Sequence, residues 1–367
     1  MSRSNFFSLA IFLIITACAS TKSNVDSVNT LQANDLLPYG RTVISDGKLE
    51  LISSASHFGF TFEGKECEVF VSLPQWLDHN YLQYELDGIY QKRIKIVQGT
   101  NEPVVITAQG KGKHTVWIYK ATEATTGPVF IEKLAGNNLK AVSVTKAALI
   151  EFIGNSITCG AAADASEVPC GTGVYHDQHN AYYAYGPRVA RKLGVNYILS
   201  SVSGIGIYRT WNKEEPSMPK LYGKTDFQLE SSRDWDFSKY QPNIVSIALG
   251  TNDLSNGDGK TPRTPFDSTR FVNGYVDFVR FVKSKYPNAQ IVLLNSPMVQ
   301  GARNILLQSC LTVIKTRIDD LHPSDKPVAV FYFKPMKANG CTGHPSVEDH
   351  ALMADEILPF FKNLLVQ

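Results

Sequence analysis

The chain is 367 residues long, which holds about two domains of ordinary size. Hydrophobic residues make up 43% and charged residues 19%, the balance of a folded globular chain and not of a disordered one. The 36 basic and 34 acidic side chains leave a formal charge of +2, too even for the concentrated positive field that nucleic acid or a strongly anionic surface requires. Neither a P-loop pattern nor a CxxC pair is present, which removes the readiest nucleotide and zinc readings.

The N-terminus opens Met-Ser-Arg-Ser and continues from Phe6 to Ile15 almost without polarity. A basic start and an apolar run of about ten residues have the form of a secretory signal. The run is too short for a membrane-spanning helix, which needs roughly twenty residues. Ile15-Thr16-Ala17-Cys18 resembles a bacterial lipobox. The expectation is a signal peptide over 1–17, lipidation of Cys18 and a flexible tether over 18–36, rich in Ser, Asn, Thr and Asp. The alternative is an ordinary signal peptide with a chance cysteine. The lipoprotein reading predicts export to the periplasm or the outer membrane or cell surface, with membrane contact through the lipid anchor only. Export permits disulfides. Cys159 with Cys170 and Cys310 with Cys341 are the expected pairs, leaving Cys67 buried and free.

From residue 37 to 146 the pattern is short and β-like. Cys67 to Val71, Tyr81 to Leu86, Arg93 to Val97, Val104 to Thr107 and His114 to Tyr119 are rich in β-branched and aromatic residues. Turn residues such as Asp87-Gly88 and Gly110-Lys111-Gly112 separate them. Many short strands at close spacing predict an all-β jelly roll or sandwich.

From 147 to 367 the period changes. Ala148 to Ile153, Val195 to Leu199, Ile244 to Leu249, Ile291 to Leu294 and Val328 to Phe333 are apolar runs of strand length. Helical patterns lie between and after them, over Ala181 to Leu193, Phe266 to Tyr286, Ile305 to Leu321 and Val347 to Leu365. The alternation predicts an α/β fold, a mostly parallel sheet with helices on both faces. Ligands in such sheets bind beyond the carboxyl ends of the strands.

Four strand ends carry candidate chemistry. After the first comes Gly154-Asn155-Ser156-Ile157-Thr158, where Ser156 either exposes its hydroxyl in a tight turn or caps the following helix. After the second comes Ser203-Gly204-Ile205-Gly206, where glycine lets a backbone N–H face a ligand. After the third comes Gly250-Thr251-Asn252-Asp253, and the Asn252 amide is a candidate donor to a developing negative oxygen, or simply part of an Asx-turn. After the last comes Gly343-His344-Pro345-Ser346, with His344 a base able to take a serine proton at neutral pH or else a surface histidine. Together they meet the logic of acyl transfer: a nucleophile, a base and oxyanion donors.

These blocks resemble those of the SGNH (GDSL-type) hydrolases. The longer strings Glu151 to Gly160 and Ser203 to Arg209 look like carbohydrate esterase family 2, which also places a β-sandwich before the SGNH domain. The resemblance implies a three-layer α/β/α domain with Ser156 as nucleophile and His344 as base. It implies an oxyanion hole from the N–H groups of Ser156 and Gly204 and the Asn252 side chain. It further implies removal of O-acetyl groups from polysaccharides such as acetylated xylan or glucomannan, with no cofactor. Many SGNH enzymes carry an orienting Asp three residues before the His; here that residue is Cys341. The family 2 resemblance therefore implies a Ser-His dyad, the imidazole held by a backbone carbonyl. Glu348 and Asp349 would start the final helix, where acids suit the helix dipole, and orientation of His344 by one of them is the alternative.

Tyr208, Arg209 and Trp211 follow the glycine block and are candidate substrate-binding residues, with core packing equally open for Trp211. Trp76 and Trp117 read as core. His176 and His179 have helical metal-ligand spacing but no third ligand, so no metal is expected. Two other functions stay open: a lipid or thioester hydrolase, and an inactive glycan-binding lipoprotein.

Overall fold

The computed structural model describes Met1 and residues 28–100 and 102–366. The signal segment, Cys18 and the tether up to residue 27 lie outside the described residues. Among the described residues no helix is long and apolar enough to cross a membrane.

The first nine strands are β1 (Val28–Gln32), β2 (Thr42–Ser45), β3 (Lys48–Leu51), β4 (His57–Ser72), β5 (His79–Leu86), β6 (Ile89–Val97), β7 (Val104–Thr107), β8 (Lys113–Lys120) and β9 (Val129–Val142). They pair antiparallel in the order β2-β3-β9-β4-β8-β5-β6, with β1 added on β9 and β7 on β4. The long β4 serves three partners: β8 along His57–Glu63, β7 along Glu66–Val69, and β9 at both ends. Phe58, Phe60 and Phe62 alternate inward along β4 and are fully buried with Val116 and Ile118 of β8. Each such Phe contributes about 1.5–3 kcal/mol relative to exposure. The expected tether is shorter than residue 36. Val28–Gln32 pairs with β9, Leu31 packs against the β core, and Ala33 and Leu36 are buried. Polar side chains concealed a strand held by its backbone. Trp76, expected in the core, is 68% exposed.

The second sheet contains β10 (Leu149–Gly154), β11 (Asn196–Ser201), β12 (Ile244–Ala248), β13 (Gln290–Leu294) and β14 (Ala329–Phe331). All pairings are parallel, in the order β11-β10-β12-β13-β14. The order reverses at β10, whose carboxyl end is therefore the switch point where ligands bind in such sheets. The helices are α1 (Ser156–Cys159), α2 (Tyr185–Leu193), α3 (Met218–Leu221), α4 (Ser268–Lys285), α5 (Gly301–Leu321) and α6 (Val347–Leu365). Ile153, Ile247 and Leu293 face α4 and α5 through Phe271, Tyr275, Leu307 and Leu311. Phe152, Val292 and Leu294 face α2 and α6 through Val189, Met353 and Phe361. Successive strand residues thus enter opposite cores, as a sheet covered on both faces requires.

The two sheets are joined by buried charge. The Arg41 guanidinium, 0% exposed, donates to Ser200 Oγ at 3.3 Å, Tyr222 O at 3.0 Å and Lys224 O at 2.6 Å. It stacks over Phe227 and Trp235 and faces the buried Glu151 carboxylate of β10.

Candidate active site

β10 is buried at all six positions and delivers the chain into a tight turn at Gly154. A Cβ at Gly154 would lie 2.1 Å from Thr158 Oγ1, so only glycine lets α1 start this close to the strand. Asn155 caps α1 by accepting from Ile157 N at 3.1 Å. The capping role open to Ser156 is thus taken by its neighbour, and the Ser156 hydroxyl is left for other contacts. Ser156 Oγ lies 3.0 Å from His344 Nε2.

His344 leaves the short 3-10 turn Cys341–Gly343, in which Thr342 and Gly343 take left-handed backbone with φ of 51° and 75°. Its Nδ1 lies 3.1 Å from Thr342 Oγ1, and its backbone N–H donates to Cys341 O at 3.0 Å. With the hydrogen on Nδ1, toward Thr342 Oγ1, the neutral ring presents the Nε2 lone pair to Ser156. Burial, with the nearby His179, lowers the His344 pKa below the usual histidine value, keeping the ring neutral. Among the described residues no carboxylate is hydrogen-bonded to this imidazole. Asp349 accepts from Asn339 N, Asn339 Nδ2 and Ser346 N, and Glu348 accepts from Ser346 Oγ, so both serve the start of α6.

Cys341 is bridged to Cys170, with Cα atoms 5.1 Å apart. This replaces both expected pairs. Cys159 is buried in α1, its thiol lying 3.2 Å from Ser201 Oγ and 3.6 Å from Glu123 Oε2, and Cys310 faces the α4–α5 core. Cys67 is free and buried, as expected.

Gly204 follows β11 with φ of 74°, and a Cβ there would lie 2.7 Å from Trp211 Cδ1. Trp211 is 42% exposed and packs over this glycine, its backbone N–H donating to Gly204 O at 2.8 Å. It stands at the edge of the glycine loop and not in the core. Asn252, after β12, donates from Nδ2 to Ile205 O at 2.7 Å, which ties the third strand end to the second. Asp253 accepts from Ile207 N and Tyr208 N and fixes the same loop from beneath; burial raises its pKa to about 6.

Two expected substrate contacts go elsewhere. Arg209 is 1% exposed, and its guanidinium is consumed by Asp253 O at 2.9 and 2.5 Å and Thr264 O at 2.8 Å. Tyr208 is turned into a groove with Ser217, Arg270 and Phe278, its hydroxyl accepting from Asp267 N. Both side chains brace the loop that their backbones belong to.

Tyr175 is a site residue that sequence reasoning missed. Its hydroxyl lies 3.3 Å from both His344 Nε2 and Ser203 Oγ, and also contacts Ser156. His176 and His179 do not act as a pair. His179 lies against Glu123, whereas His176 meets His79 and Asp177, whose ligand atoms with its own fall within 4.8 Å of one another. Asp177 already accepts from His79 Nε2 at 2.6 Å, Tyr81 OH at 2.8 Å and Val174 N at 2.7 Å, so this group forms a hydrogen-bonded seam between the domains.

The family model described as carbohydrate esterase 2 N-terminal matches residues 39–142. That of the GDSL-like lipase/acylhydrolase family matches residues 152–317. The chain is 30% identical over 326 residues to the cellulase/esterase CelE of Acetivibrio thermocellus, covering 85% of this chain but only 37% of CelE. It is 26% identical to an acetylxylan esterase/glucomannan deacetylase of Cellvibrio japonicus, covering 96% of this chain and 95% of that one. A family two carbohydrate esterase from Clostridium thermocellum, solved in complex with cellohexaose, superposes with a TM-score of 0.77 at 28% identity, covering 90% of this chain and 99% of that one.

Proposed function

We propose, on the premise that the chain belongs to carbohydrate esterase family 2, that it is a serine esterase removing O-acetyl groups from polysaccharides such as acetylated xylan or glucomannan. The observation that carries the reading is the 3.0 Å contact between Ser156 Oγ and a His344 whose other nitrogen is already committed. Ser156 attacks the acetyl carbonyl while His344 Nε2 takes its proton. The negative oxygen that forms is held by the N–H groups of Ser156 and Gly204 and by Asn252 Nδ2. Collapse breaks the ester bond, and His344 returns the proton to the departing sugar hydroxyl. Water, deprotonated by His344, then hydrolyses acetyl-Ser156 and acetate leaves. Thr342 Oγ1, 3.1 Å from Nδ1, orients the imidazole in place of an Asp. Trp211, half exposed beside Gly204, supplies an apolar face of the kind a pyranose ring covers.

Export as a lipoprotein through Cys18 belongs to the same reading, and a disulfide fits an oxidising compartment. Fatty-acid labelling in cells, lost in Cys18→Ala, checks it.

The test is acetate release from acetylated xylan and acetylated glucomannan by the parent and by Ser156→Ala. Release lost in the variant is expected. A parent inert on both polymers and on a small activated acetate ester is a glycan-binding protein instead. Turnover of the small ester alone points to another acyl substrate.

A further inference from the structure

Glu123 carries a charge that the reaction above does not use. It belongs to the β domain and is 1% exposed. The turn that holds it follows β8 directly. Lys120 Nζ, itself buried, donates there to Thr122 O at 3.2 Å and Glu123 O at 2.5 Å. The carboxylate reaches across into the α/β domain. Oε2 accepts from Ser203 N at 2.6 Å and from Cys159 Sγ at 3.6 Å, and Oε1 faces His179 Nε2 at 3.5 Å. Burial alone would raise its pKa, but the bonds from His179 and Ser203 outweigh it and the carboxyl stays ionised.

Ser203 immediately precedes Gly204. Three successive backbone groups of this loop are pinned: Ser203 N by Glu123, Gly204 O by Trp211 N, and Ile205 O by Asn252 Nδ2. The Gly204 N–H between them has no protein partner among the described residues. A peptide fixed on both flanks with its own N–H unused is what a preorganised oxyanion donor requires.

We propose that Glu123 is a positioning residue for the oxyanion hole, through which the β domain holds the Ser203 amide and so aims the Gly204 N–H at the reacting carbonyl. The proposal rests on the esterase reading above. A carboxylate is needed and an amide will not serve. Ser203 N–H on Oε2 and His179 Nε2–H on Oε1 are both donors, and His179 cannot reverse its tautomer because Nδ1 already accepts from Ala162 N at 3.2 Å. A glutamine would set its NH2 against one of them.

The experiment compares the full-length parent with Glu123→Gln on a small activated acetate ester, each preparation normalised by titrating Ser156 with a phosphonylating ester. The donor strengthens only in the transition state, so kcat should fall about ten- to a hundred-fold per titrated site with KM within about twofold. A kcat within about twofold of the parent, or a loss carried wholly by KM, overturns the proposal and leaves the esterase reading intact. If Glu123→Gln does not fold, Glu123→Asp decides, because it keeps the carboxylate but shortens the side chain by one carbon and draws it away from Ser203 N. A drop in kcat of about threefold or more at constant KM supports the proposal, and an unchanged kcat overturns it. A parent that neither turns over the ester nor reacts with the titrant overturns the esterase reading itself, and the proposal with it.

Discussion

Cys341 occupies the position, three residues before His344, where many SGNH hydrolases keep an orienting aspartate. Its sulfur is tied to Cys170 across 171 residues, and its carbonyl accepts from the His344 backbone N–H at 3.0 Å. Replacing both cysteines with serine should therefore affect stability and catalysis together. In the chain-entropy view, releasing a crosslink that spans 171 residues costs about 5 kcal/mol. For a domain of this size that lowers Tm by about 10–20 °C. The Thr342–Gly343 turn, left-handed at two successive residues, loses its anchor and the imidazole can drift from Ser156. A displacement near 1 Å costs about a hundred-fold, so kcat should fall about ten- to a hundred-fold at temperatures where the variant remains folded. The assay is thermal unfolding followed by circular dichroism, with kcat at 25 °C on an activated acetate ester. Reducing the parent with dithiothreitol should reproduce both effects. A double variant that melts within about 2 °C of the parent, or that retains full kcat, would refute the reasoning.

Asn252→Ala should lower kcat about a hundred- to a thousand-fold with little change in KM; a loss expressed mainly in KM would assign Asn252 to ground-state binding. The His344 pKa lies below the usual histidine value, so protonation removes the base only at low pH. The acid limb of kcat/KM should have its midpoint below 6.5, and a midpoint at or above that value would contradict the neutral, half-buried imidazole. Burial lowers the pKa of His57 to about 4 and of His350 to about 3. Unfolding lets both take up protons once pH falls below about 6.5, so their contribution is complete above that pH and is lost as pH falls toward the folded values. For His57 this amounts to about 3 kcal/mol, and Tm should decline from pH 7 to pH 4 by less in His57→Gln than in the parent.

The second domain was legible because its strands are buried on both faces and read as apolar runs. β10, β12 and β13 fall within a residue of the runs that predicted them. The rule that ligands lie beyond strand carboxyl ends then selected Ser156, Gly204, Asn252 and His344. Hydrogen bonds link Ser156 to His344 directly and Asn252 to the Gly204 loop. Polarity near a motif misled at Arg209, because a cation beside the glycine block looks like a ligand contact until Asp253 O and Thr264 O are seen to absorb it. The disulfide and Glu123 were illegible for another reason. Both join residues far apart in the chain, and no local pattern records which partner folding brings. β1 was missed because its backbone, and not an apolar periodicity, binds it to β9.

The most direct measurement is the mass of Ser156-containing peptides from enzyme quenched in acid during turnover of an activated acetate ester. We expect one acetyl group on Ser156 in the parent, more of it in His344→Ala if deacetylation is slowed more than acylation, and none in Ser156→Ala. An acetyl group on another residue, or acetate released steadily by Ser156→Ala, would contradict the assignment of Ser156 as nucleophile.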